Sequence, residues 1–106
     1  MTTKYRKAKP ELWHSLSPRK RDVLITVVRL SSPYYNPTGG DILSELGSTP
    51  EIRVKEATLY TYLSELINKG LISATPSGVR GYRRYKPTVT GVQLVKQERD
   101  RLDNAL

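Results

Sequence analysis

The side chains best suited to bind an anionic partner are basic and fall in the second half of the sequence. From Leu66 to Gln97 there is no acidic residue, while Lys69, Arg80, Arg83, Arg84, Lys86 and Lys96 are basic. Guanidinium and ammonium groups bind phosphate oxygens. We therefore expect phosphate contacts from a basic, tyrosine-containing segment: Arg80, Tyr82, Arg83, Arg84 and Lys86. The alternative is an exposed strand edge that is charged only to prevent aggregation.

A second set of side chains is small and hydrogen-bonding and lies on one face of a predicted helix. If Leu59 points inward, the outer face carries alanine, threonine and serine. Such a face lets a helix approach base edges in the major groove, and an ordinary solvent face usually carries more charge. Residues near the helix start are the usual base contacts. The predicted set is Arg53, Lys55, Ala57, Thr58, Tyr60, Thr61 and Ser64.

Weaker candidates for contact with a nucleic-acid backbone precede this helix. Arg19, Lys20 and Arg21 lie in the first turn of another predicted helix, where cations oppose the helix dipole. Because this placement lowers the stability of the helix, it indicates another role for the three cations, such as contact with backbone phosphates. Thr38 is a further candidate for such a contact.

No set of residues predicts catalysis. The single histidine, His14, lies near the N-terminus, and there is no cysteine. No nucleophile–base pair, phosphate-binding loop or metal-ligand cluster is present. We expect no enzymatic activity, no cofactor and no metal.

The composition favours one small domain with an anionic partner. The chain has 106 residues and a formal net charge of +8. Such a balance attracts nucleic acid or an anionic membrane surface, or merely keeps the protein soluble. No segment approaches the ~20 apolar residues of a membrane helix. We expect a soluble, cytoplasmic protein.

Capping signals and apolar spacing predict four helices and a β-hairpin. Ser17 and Thr38 should cap helices that end near Leu30 and Gly47, a third should span 54–69 before Gly70, and a hairpin should pair 71–74 with 82–86. A last helix should start after Thr88 or Thr90 and reach about residue 104. The order predicts a mainly α fold with a small β-hairpin (α+β), a winged helix-turn-helix. The expected division is a basic arm and packing segment (1–16), the winged helix (17–88) and a C-terminal helix (89–106).

An apolar stripe on the last helix predicts a dimer. This short domain leaves little to cover it, so a second chain would bury it; packing back on the first helix is the alternative. The expected interface residues are Trp13, Val92, Val95, Leu102 and Leu106.

Several motifs resemble those of the PadR-like winged-helix regulators. They are Ala57-Thr58-Leu59-Tyr60 with Leu63 and Leu66, Lys69-Gly70-Leu71-Ile72, the opening Arg21-Asp22-Val23-Leu24, and the segment 83–91, in which Pro87 replaces the usual leucine. The resemblance covers about residues 17–97. It implies a dimeric repressor on a palindromic promoter site, with Thr58 and Tyr60 near the backbone or bases. It identifies no small-molecule effector.

Together these patterns predict a sequence-specific, double-stranded DNA-binding transcriptional regulator, a homodimer that acts as a repressor. One alternative is a winged-helix module that binds another protein. The other is a binder of RNA or single-stranded DNA that stacks bases on tyrosines, for which the candidates are Tyr34, Tyr35, Tyr82 and Tyr85.

Overall fold

The structure is a computed structural model, and it describes residues 9–48, 54–76 and 83–105. Five helices and one hairpin lie in these ranges. In chain order they are α1 (Pro10–His14), α2 (Pro18–Leu30), α3 (Gly39–Gly47), α4 (Glu56–Asn68), β1 (Ile72–Pro76), β2 (Arg83–Pro87) and α5 (Val89–Ala105). The predicted fold class, a mainly helical winged helix-turn-helix, is confirmed.

Local capping sets most helix boundaries. Ser17 accepts a hydrogen bond from the Lys20 amide at the start of α2. Thr38 and Asp41 form a complete capping box at the start of α3, which satisfies two amides that the helix cannot bond itself. At the end of α4, Gly70 takes a positive φ of 73°, the left-handed conformation that glycine adopts at low cost.

Several predicted boundaries are corrected. α4 begins at Glu56, two residues after the predicted start, and α1 was not predicted because five residues carry little periodicity. β1 is displaced to Ile72–Pro76 and pairs antiparallel with β2, with Ile72 opposite Pro87. Of the two candidate caps of α5, Thr88 is the one used, because its hydroxyl accepts from the Gly91 amide at 3.1 Å.

The core lies between α2, α3, α4 and the hairpin, with α5 across one side. α4 contributes Leu59, Leu63 and Leu66, all buried, and burial of each leucine contributes about 1.5–3 kcal/mol. β2 is also bonded on its other edge, because the Tyr85 amide donates to the Pro37 carbonyl at 2.8 Å. The hairpin is thus fixed to the segment that precedes α3, while β1 is the strand that packs against α4.

Candidate nucleic-acid interface

The exposed side of α4 is a line of small, uncharged side chains. Ala57, Thr61, Ser64 and Asn68 are all exposed and recur at intervals of four, three and four residues, which is one face of a helix. The Thr61 hydroxyl donates to the Ala57 carbonyl at 3.2 Å, so its oxygen remains an acceptor. We call these four residues the α4 line; Asn68 was missed by the sequence analysis, although its spacing from Ser64 signals it.

The other predicted residues of this helix have different positions. Lys55 is exposed and immediately precedes α4, whereas Thr58 is half-buried. Tyr60 is 43 % exposed, and its hydroxyl lies against Gly39, the first residue of α3. Arg53 lies outside the described residues.

The two faces of the hairpin carry different basic residues. Alternate residues of a strand point to opposite faces, so Arg83 shares a face with the buried Tyr85, and Arg84 and Lys86 share the other. Arg83 and Tyr85 line an open cleft of about 290 Å³ together with Tyr60, Ser64 and Ile67 of α4. Arg80 and Tyr82, two more of the predicted contacts, lie outside the described residues.

Arg84, one of the predicted phosphate contacts, also binds its own chain. Its guanidinium donates to the Asn36 carbonyl at 2.8 Å and lies 5.3 Å from the ring centre of Tyr35. The Tyr35 hydroxyl in turn donates to the carboxylate of Asp41. That hydrogen bond is the main reason that the pKa of Asp41 is lowered and the pKa of Tyr35 is raised. Arg84 therefore holds the hairpin on the start of α3.

Three of the candidate backbone contacts are also engaged inside the chain. Lys20 forms an ion pair with Glu65 of α4, and Arg21 donates to the Trp13 carbonyl at 3.1 Å while lying over its ring. Thr38 caps α3. The contacts of Lys20 and Arg21 tie α2 to its neighbours, and this offsets the unfavourable position of the two cations near the helix start. Arg19 is exposed.

The expected dimer residues divide between the core and the surface. Trp13 is only 6 % exposed, so it packs in its own chain. Val92 and Val95 of α5 are half-buried, and Leu106 lies outside the described residues. Leu102 is 52 % exposed and Val89 68 % exposed, so the apolar stripe stays open only in part.

The candidate tyrosines that the structure describes, Tyr34, Tyr35 and Tyr85, do not form a common stacking surface for single strands. Tyr85 is buried, and burial is the main cause of its raised pKa. Tyr35 is held by Arg84 and Asp41, and Tyr34 is open to solvent, at 96 % exposure. Across the described ranges, no cluster of three or more potential metal ligands occurs and no helix is long and apolar enough to cross a membrane.

Comparison with known proteins supports the fold of the chain and not its family. No protein-family model and no curated protein matches the chain. Among solved structures it is similar to S. aureus MepR in complex with DNA (18% identity, TM-score 0.73, 91% of this chain and 72% of that one). It is also similar to Streptococcus pneumoniae FabT in complex with DNA (20% identity, TM-score 0.64, 86% of this chain and 57% of that one).

A third similar structure is a MarR family transcription regulator, with 17% identity, a TM-score of 0.65, and coverage of 91% of this chain and 58% of that one. The chain thus spans a little over half the length of this regulator and of FabT. These likenesses bear out the winged-helix architecture and give no support to the PadR-like family in particular. The chain has the winged helix-turn-helix fold.

Proposed function

We propose that this protein is a sequence-specific regulator that binds double-stranded DNA through α4 and the hairpin. The observation that carries the proposal is the α4 line, an exposed face of small, uncharged side chains directly beside the cation of Arg83. Small side chains allow close approach in the major groove, and hydroxyl and amide groups bond base edges. Arg83 and Lys55 supply phosphate contacts that fix the register.

The net charge of the chain and its similarity to solved structures that contain DNA also support DNA binding. The net charge of +8 favours a polyanion. Glu45, Glu65 and Glu98 are paired with Arg29, Lys20 and Arg101 respectively, which reduces their repulsion of DNA. Two of the similar structures, MepR and FabT, contain DNA.

The proposal includes a homodimer that represses transcription by covering a promoter. Exposed Leu102 on α5 offers an apolar contact for a second copy, and two-fold symmetry would place two α4 helices about one turn of DNA apart. Membership of the PadR-like regulators is the finer form of the proposal, supported by the motifs around Thr58-Leu59-Tyr60 and Gly70-Leu71-Ile72.

The function can be tested by a mobility-shift assay that measures the binding of promoter fragments at several salt concentrations. Two matched variants are compared with the wild type. Thr61→Glu places a carboxylate on the α4 line away from Arg83, and Ser44→Glu places one on the exposed side of α3. We expect one fragment to bind far more tightly than bulk DNA, and only Thr61→Glu to abolish that preference. Equal binding of all fragments, or equal loss in both variants, would contradict sequence readout by α4.

A further inference from the structure

Two methyl groups lie about one helical turn apart on the exposed side of α4. One is the whole side chain of Ala57 and the other belongs to Thr61, and both residues are exposed. Four residues rise about 6 Å along a helix axis, and successive nucleotides of one DNA strand rise about 3.4 Å. If α4 lies along the groove, the two methyl groups are therefore spaced to meet base pairs about two steps apart.

A hydrogen bond decides which part of the Thr61 side chain is available to a partner. Its hydroxyl donates to the Ala57 carbonyl at 3.2 Å, so its only proton is used inside the helix and its oxygen can only accept. The same bond fixes one rotamer of this β-branched side chain. Thr61 therefore offers a methyl group in a fixed position and no donor for a base.

The charged side chains next to the α4 line point away from it. Glu56 precedes Ala57 and Glu65 follows Ser64, and one position turns a side chain about 100° around a helix. Glu65 is also paired with Lys20 of α2. Guanine is read best by arginine or lysine, and the amino group of cytosine by a carboxylate. The four uncharged residues of the α4 line offer neither of these groups, so the line favours A·T pairs over G·C pairs.

We infer that Ala57 and Thr61 read the 5-methyl groups of two thymines in each half-site, so that the preferred DNA has A·T pairs at these two positions. Thymine presents this methyl group in the major groove, and alanine and the methyl of threonine are side-chain groups that contact it. This rests on the proposed function and states which bases its site selects. Burial of one methyl group changes affinity about fourfold, which is the discrimination expected at each thymine.

Deoxyuridine provides the test, because it pairs with adenine like thymidine and lacks only the 5-methyl group. It replaces one thymine at a time in both half-sites of the duplex that the wild type binds best. We expect replacement at two thymines to weaken binding by the wild type about fourfold for each half-site. Each variant is compared with itself on the two duplexes, so any change in its folded fraction cancels.

Two substitutions of Thr61 separate the methyl group from the hydroxyl. Thr61→Ser keeps the hydroxyl and removes the methyl, so it should lose the response to deoxyuridine at one thymine. Thr61→Val keeps a methyl and removes the hydroxyl, so it should retain that response. Ala57→Gly should lose the response at the other thymine. Ser44→Ala, on the exposed side of α3, is the control and should respond like the wild type at both.

The outcomes distinguish thymine recognition by Ala57 and Thr61 from DNA binding in general. If the wild type prefers one duplex but deoxyuridine weakens binding at no position, the thymine inference fails and the proposed function stands. The same holds if Thr61→Ser and Ala57→Gly keep the full response, because other residues then contact the methyl groups. If the wild type prefers no duplex, both the inference and the proposed function fail.

Discussion

Gly91, in the first turn of α5, lies directly against the carbonyl oxygen of Leu71. A methyl group at position 91 would overlap this oxygen and come 3.1 Å from the carbonyl carbon. Thr88 reinforces the contact, because its amide donates to the Leu71 carbonyl at 3.0 Å and its hydroxyl to the Gly70 carbonyl at 2.7 Å. The start of α5 is therefore fixed to the end of the helix that is proposed to enter DNA.

Gly91→Ala should lower the free energy of unfolding by about 1–3 kcal/mol, because two backbones must separate to admit the methyl group. Gly47→Ala is the control, since a Cβ there meets nothing within 4 Å, and it should be neutral or stabilising by up to about 1 kcal/mol. Urea unfolding followed by circular dichroism measures both. Equal stability of the two variants would show that the backbones at Gly91 and Leu71 can separate without loss of stability.

Sequence reasoning succeeded where the determining contacts are local. The caps at Ser17, Thr38 and Gly70 depend on residues within a turn, and the leucine spacing of α4 follows helical periodicity. The outer face of α4, predicted by placing Leu59 inward, is exposed at Ala57, Thr61 and Ser64 but only half-exposed at Thr58.

Contacts between distant residues hold Arg84 and Trp13 within their own chain, and the sequence did not predict these contacts. Arg84 and Asn36 are separated by 48 positions, and nothing in the sequence near Arg84 distinguishes it from Arg83. The difference arises from the strand pleat, which sends the two side chains to opposite faces. Trp13 likewise has a local apolar pattern that fits either a partner or its own core, and only the packing of α1 on α5 decides between them.

Arg84→Ala should destabilise the fold by roughly 1–2 kcal/mol, because the Asn36 carbonyl loses a charged donor and Tyr35 loses the guanidinium over its ring. Lys86→Ala removes an exposed cation from the same hairpin face and should change stability by less than about 0.5 kcal/mol. Thermal unfolding compares them. A loss in Lys86→Ala as large as that in Arg84→Ala would mean that hairpin charge, and not the Asn36 and Tyr35 contacts, is responsible.

Acid should weaken the fold through Asp41. Its pKa lies below the ordinary value of 3.8, chiefly because Tyr35 donates to it and also because the Thr38 amide does. A carboxyl with a lowered folded pKa contributes stability that is present above the unfolded pKa and lost as pH falls through the folded one. Tyr35→Phe removes the main cause and should flatten the decline in stability between about pH 5 and about pH 2.

Urea unfolding at several pH values measures this decline. Asp41→Asn should flatten it further, because the side chain no longer titrates. Asp103→Asn, an exposed carboxylate of α5, is the control and should leave the profile of the wild type in place. A Tyr35→Phe profile identical to the wild type would show that the hydrogen bond to Asp41 contributes no pH dependence.

The proposed dimer should depend on the exposed leucine of α5. Burial of Leu102 contributes about 1.5–3 kcal/mol, and a two-fold interface contains it twice. Leu102→Gln should therefore raise the dimer dissociation constant at least about 100-fold while leaving the fold of each chain intact. Lys96→Gln, also exposed on α5, is the control and should dimerise like the wild type. Sedimentation equilibrium measures the dissociation constant. An unchanged constant for Leu102→Gln would place the interface elsewhere on the chain. A monomeric wild type would remove the dimer from the proposal, because each chain would then bind DNA with a single α4.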